Sequence, residues 1–191
     1  MSKVYLFIDT SQSTPCCLKL LDENFNQLAE HLFLTQNNLI DYINPELNNL
    51  FEKANHTFED VARIYLNYGP GTFTGIRVGV SVAKTFKMVH PNISIFVINS
   101  LKLKCQGNGV AYIDAKSHKY FLAAYQNGQE LQAPVLILDS ELNDYLKKYS
   151  NLLVYPDEQI FNYEFSKDIY NLFEECLDVV NLEPFYLKAP I

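Results

Sequence analysis

Two aspartates stand where strands should end. Asp9 closes "VYLFID" and Asp114 closes "VAYID", and a turn and a second β-rich run follow each. Carboxylates so placed can hold a divalent cation or position a phosphate or a water. In a phosphate-transferring chain, Asp9 and Asp114 would be the acid–base or metal candidates. The plainer alternative is that each accepts N–H bonds from its own turn. The histidines, His31, His56, His90 and His118, include no pair at the three-to-five spacing of helical metal ligands. Cys16, Cys17, Cys105 and Cys176 form neither a C-x-x-C pair nor a zinc spacing. No serine or cysteine stands in an order with a base that would make it a nucleophile. Beyond Asp9 and Asp114 the sequence offers no catalytic set and no metal-ligand spacing.

The stretch "YGPGTFTGIRVGV", Tyr68 to Val80, holds four of the seven glycines. A glycine-rich turn opening a helix can offer N–H groups and a dipole end to an anion. The spacing fits no nucleotide fingerprint. A Walker turn needs Gly-Lys-Ser/Thr, and no lysine lies in Gly69–Gly75. A Rossmann turn needs G-x-G-x-x-G, and Gly69, Gly71, Gly75 is one residue too long. Gly75, Gly79 and Ala83 instead recur every four residues, which on a helix makes a ridge with almost no side chain. Glycine inside a helix costs about 1 kcal/mol against alanine. Two of them call for a close neighbour, either the chain's own sheet or a second protein.

The elements around these residues are legible from periodicity. Val4–Ser11 is β-rich and mostly apolar, as a central strand is, and "CCLKLLD" and "QLAEHLFL" extend it into an antiparallel meander. Leu39, Ile43, Leu47, Leu50 and Phe51 predict a helix from about Asn38 to Ala54, with Pro45 in its first turn or kinking it. A buried strand over Val61–Gly69, a helix from about Thr74 to Val89, a strand at "ISIFVIN" and a short helix capped by Ser100 follow. That order matches a ribonuclease-H-like lobe. The pattern then repeats in shorter form, "AYIDAK" answering "LFIDTS". Further strands fall at Phe121–Tyr125, "APVLIL" and "NLLVY", and Asp139 caps a helix to about Tyr149. Ile169, Leu172, Phe173, Cys176, Leu177 and Val180 share one face of a last amphipathic helix. Two lobes are expected, over residues 1–106 and, abbreviated, 107–191.

Composition narrows the partners. The 191 residues are 48% hydrophobic, enough for a sizeable core. Up to residue 100, 7 basic and 9 acidic residues give -2; beyond it, 8 and 13 give -5, and these sum to the net -7. Neither half is a basic footprint, so nucleic acid is not expected to bind this chain unaided. "MSKVYLFIDTS" lacks a signal-peptide core, and no apolar run approaches a membrane span of about 18 residues. A cytoplasmic protein with reduced cysteines is expected.

"GPGTFTGIRVG" closely resembles the GPG-S/T-FTG-x-R-x-G signature of the TsaB (YeaZ) family. These are bacterial subunits of the machinery that makes threonylcarbamoyladenosine beside the anticodon of tRNA. "LFIDTS" is similar to the family's first strand, "VAYIDAKSHKYFLAAY" to its second-lobe opening, and "EPFYLK" to its closing segment. Thr72 stands where serine is common and Lys116 where arginine is common. The resemblance implies an α/β fold of the actin, heat-shock ATPase and sugar kinase class, built of two ribonuclease-H-like lobes. It implies an accessory, non-catalytic subunit that needs no cofactor. The partners implied are the catalytic paralogue TsaD, in a heterodimer, and the ATPase TsaE, in a ternary complex, with a homodimer in isolation. The docking face would lie on the two long first-lobe helices, through Leu39, Ile43, Leu47, Gly75, Ile76, Gly79, Val80 and Ala83. Asp9, Thr10, Ser11 and Asp114 would be a vestigial phosphate or nucleotide site. The alternative is a small ATP-dependent phosphotransferase or ATPase of the same fold. A homodimeric protein-binding module is a third reading.

Overall fold

Every residue of β1 (Val4–Asp9) is buried, and its side chains alternate between two cores. Val4, Leu6 and Ile8 enter one, Tyr5 and Phe7 the other. β2 (Cys16–Leu21) pairs antiparallel with β1 and alternates likewise, so Cys16 and Cys17 lie in different cores. Burial pushes the Cys17 thiol up, and the Cys105 thiol up to about 12, which leaves both inert near neutral pH. β3 (Gln27–Phe33) completes the meander. The computed structural model describes residues 2–12, 15–34, 39–157 and 163–187. Asn38, expected at the start of the first helix, and Lys188 of "EPFYLK" lie outside these.

α1 (Leu39–Lys53) buries Leu39, Ile43, Leu47, Leu50 and Phe51, the positions that the 3.6 period selects. Pro45 is the seventh helical residue, so it does not sit in the first turn. β4 (Val61–Asn67) pairs parallel with β1 and leads through the glycine-rich turn into α2 (Phe73–Val89). β5 (Ser94–Ile98) pairs parallel with β4. α3 (Ser100–Lys104) is capped by Asn99 rather than Ser100: the Asn99 side chain accepts from the Lys102 N–H at 2.8 Å. Ser100 is already helical, and its hydroxyl is engaged elsewhere, by Asn67.

The second sheet is built from β6 (Gly109–Asp114), β7 (Lys119–Gln126), β8 (Gln129–Leu138) and β9 (Val154–Tyr155), in the order β8-β7-β6-β9. Ala111, Ile113, Phe121, Ala123 and Tyr125 face the first sheet and share a core with Tyr5, Phe7 and Tyr65. Leu122 and Ala124 face the other way, toward the side chains of α4 (Leu142–Lys148). Among the described residues no helix is long and apolar enough to cross a membrane.

The final amphipathic helix does not form. Lys167–Leu172 is a 3-10 segment, and β10 (Glu174–Glu175) pairs with the outer edge of β5, giving the six-stranded order β10-β5-β4-β1-β2-β3. The physical reason is that the apolar residues serve different cores. Ile169, Tyr170 and Phe173 fill the space between the sheets, while Val179 and Leu182 join the core under α1 and α2. Leu177 and Val180 are left 89% and 84% exposed. A straight helix cannot turn around a sheet edge to reach both cores.

Candidate functional site

Asp9 and Asn67 end adjacent parallel strands in register, β1 and β4. The crevice beyond the carboxyl ends of such strands is where α/β sheets place their ligands. Here the chain fills it with its own groups. Asp9 Oδ1 accepts from the Ser11 N–H at 2.9 Å and the Ser11 hydroxyl at 2.7 Å. Asp9 Oδ2 accepts from Asn67 Nδ2 at 2.9 Å and from the Tyr163 hydroxyl at 3.1 Å. Asn67 Oδ1 in turn accepts from the Ser100 hydroxyl at 2.9 Å and the Gly69 N–H at 3.2 Å. Asp9, Thr10, Ser11, Asn67 and Ser100 are all 0% exposed. Burial raises the Asp9 carboxyl above its usual value, opposed by its hydrogen bonds to Asn67, Ser11 and Tyr163. Burial also pushes the Tyr163 phenol well up, so it stays protonated and donates.

Lys19 fastens this seal. Its ammonium, itself 4% exposed, binds the Tyr163 carbonyl, pairs with Glu30 at 2.7 Å and lies over the Phe165 ring at 5.3 Å. Phe165 meets Phe7 edge-on. Asp114 is placed differently. It accepts from the Lys116 N–H at 2.7 Å and pairs with its ammonium at 2.6 Å, and Lys116 holds the carboxyl below its usual value. Asp9, Thr10 and Ser11 are thus brought together, with Asn67 and Tyr163, while Asp114 is committed to its own turn.

The glycine ridge faces inward. A Cβ on Gly75 would lie 1.9 Å from the Thr10 carbonyl oxygen, and one on Gly79 2.7 Å from the Thr10 hydroxyl. The Thr10 hydroxyl donates to the Gly75 carbonyl at 2.8 Å. The close neighbour that the ridge requires is therefore the chain's own first sheet. Leu39, Ile43, Leu47, Val80 and Ala83 belong to the same core, and Ile76 is 2% exposed beside Gly69. All eight residues expected at the docking face are buried and hold the two helices to the sheet. Ile43 and Leu47 still reach the floor of a groove of about 740 Å³ between α1 and α2. Its walls are other residues, among them Ile40, Phe58, Phe73, Val78, Val82 and Val89. Ile40 and Val89 are 67% and 64% exposed.

The model of the family described as "TsaD: tRNA N6-adenosine threonylcarbamoyltransferase" matches residues 34–178. The chain belongs to this family, as a TsaB/YeaZ-like member. An uncharacterised protein of Mycoplasma pneumoniae is 30% identical over 197 residues, covering 100% of this chain and 97% of that one. The TsaB protein of Bacillus subtilis, described as a tRNA threonylcarbamoyladenosine biosynthesis protein, is 32% identical over 97 residues, 51% of this chain and 41% of that one. A crystal structure described as an uncharacterised protein with similarity to the peptidase YeaZ from Pseudomonas aeruginosa superposes with a TM-score of 0.72 at 18% identity. It covers 97% of this chain and 100% of that one. The fold is that of this YeaZ-like structure, a mixed α/β chain with two sheets, and the family is that of threonylcarbamoyladenosine synthesis on tRNA.

In this TsaB/YeaZ-like chain the residues that sequence reading missed are Asn67, Lys19 and Tyr163. Asn67 had a signal, a polar residue ending a buried apolar strand. Lys19 had one too, the single cation in "CCLKLLD". Tyr163 had none, since it meets Asp9 across 154 residues of chain.

Proposed function

We propose that the chain is a non-catalytic subunit that binds the TsaD-type threonylcarbamoyltransferase through the groove face of α1 and α2 and supports its activity. The observation carrying this reading is the Asp9 carboxylate, filled by donors from Ser11, Asn67 and Tyr163 at 0% exposure. A phosphotransferase or ATPase of this fold needs that position open to a metal or a phosphate. What the chain does leave open is an apolar groove on its first lobe, residues 1–106, of the kind that takes a partner helix. The second lobe, 107–191, adds β10 to the edge of the first sheet, and Tyr186 stacks on Phe73 at the groove. TsaE joins the pair, and the chain pairs with itself when TsaD is absent. Its net charge of -7 leaves tRNA to its partners, in the cytoplasm.

Two measurements on the purified chain test this. Titration calorimetry with ATP and magnesium is expected to give no binding heat; micromolar ATP binding would instead favour the phosphotransferase. Ile40→Asp combined with Val89→Asp, both at exposed positions, is expected to keep the circular dichroism spectrum and prevent co-purification with TsaD. Unimpaired co-purification would place the docking face elsewhere.

A further inference from the structure

Among the described residues that line the groove between α1 and α2 there is no carboxylate, and the basic side chains are Arg77 and His90. The Arg77 side chain ends in a guanidinium cation, a planar fork of five N–H donors. Its guanidinium lies over the Phe73 ring at 5.0 Å, and Tyr186 stacks on the same ring at 5.6 Å. That stack holds the cation at the groove. Among the described residues no acid pairs with it; the ion pairs engage Lys19, His31, His56, Lys102, Lys116 and Lys147. The acids of α1 are Asp41, Glu46 and Glu52. None lines the groove, and Glu46 sits 2.9 Å from the His31 ring nitrogen.

An apolar surface that covers the groove strips water from Arg77. A cation desolvated without a counter-ion opposes binding, whereas a carboxylate aimed at it gains a charge-assisted, two-pronged hydrogen bond. Two-fold self-pairing lays the same patch on itself. The lining of a second copy then brings another Arg77 and no acid.

We propose that Arg77 makes this groove choose its occupant by charge. The occupant it fits is an apolar helix face of the TsaD-type subunit carrying an aspartate or glutamate placed to meet Arg77, in preference to a second copy of this chain. This rests on the docking reading above and adds the chemistry by which the partner is selected. Charge across an interface discriminates partners through repulsion as well as attraction.

Arg77→Met tests it, because methionine keeps apolar contact with Phe73 and removes the charge. Binding to the purified cognate TsaD subunit, measured by calorimetry, is expected to weaken about tenfold or more. Self-association, measured by sedimentation equilibrium, is expected to tighten about tenfold. A residue with a merely structural role would move both the same way. If both shift together, or self-association does not tighten, the charge proposal fails. The Ile40→Asp, Val89→Asp chain serves as the separating control. If it loses TsaD while Arg77→Met keeps wild-type affinity, docking stands and charge selection falls. If it also keeps TsaD, the docking reading itself falls.

Discussion

Gly75→Leu is expected to yield no folded protein. Even the first carbon of the new side chain would sit 1.9 Å from the Thr10 carbonyl oxygen and 2.4 Å from the Thr72 hydroxyl. The first of these is backbone of the central strand turn and cannot rotate away. α2 would have to lift from the sheet, exposing Val80, Ala83 and Phe86 and breaking the Thr10–Gly75 hydrogen bond. Overpacking alone costs about 1–3 kcal/mol, and a domain of this size has about 5–15 kcal/mol to lose. Gly75→Ala should therefore lower stability by about 3 kcal/mol or more, and leucine should exceed what the fold tolerates. Gly79→Ala should cost less, because its neighbours are the side chains of Thr10 and Leu66, which can give. Urea denaturation of the two alanine variants checks the order; equal midpoints would contradict it. Lost association in a Gly75 variant would then report a lost fold, not a docking surface.

The sequence made the ridge visible without saying whose backbone it meets. Four-residue spacing of Gly75, Gly79 and Ala83 signals close approach, because small residues every turn have few other uses inside a helix. The identity of the neighbour is a long-range fact, a contact between residues 10 and 75. The strands β1 to β7 and the helices α1 and α2 were legible, the central strands as continuous apolar runs buried on both faces and the helices by the 3.6 period of one buried face. The segment after residue 166 was not, because its apolar residues divide between two cores and their helical spacing is incidental. The seal on Asp9 was half legible: the bonds to Ser11 are a local turn, and those to Asn67 and Tyr163 are tertiary.

Asp9→Ala is expected to destabilise the chain strongly, by about 3–5 kcal/mol, without removing any catalytic step. It leaves the donors of Ser11, Asn67 and Tyr163 buried around an absent acceptor. The effect also carries a pH signature. The folded carboxyl is raised above its unfolded value of 3.8. A raised group binds more protons in the folded state, so its contribution is full below the unfolded value and declines as pH rises through the folded one. The variant lacks that slope. The stability gap between wild type and Asp9→Ala should thus narrow as pH rises from about 4 through the folded value. Guanidinium melts across that range check it; a gap that widens would mean the carboxylate is stabilised, not penalised, by its burial.

The most direct measurement is modification of tRNA by TsaD, TsaE and the threonylcarbamoyl-adenylate donor, with and without this chain. Modification is expected to depend on the chain and to persist in any Asp9 variant still folded. Modification proceeding equally well without the chain would contradict it.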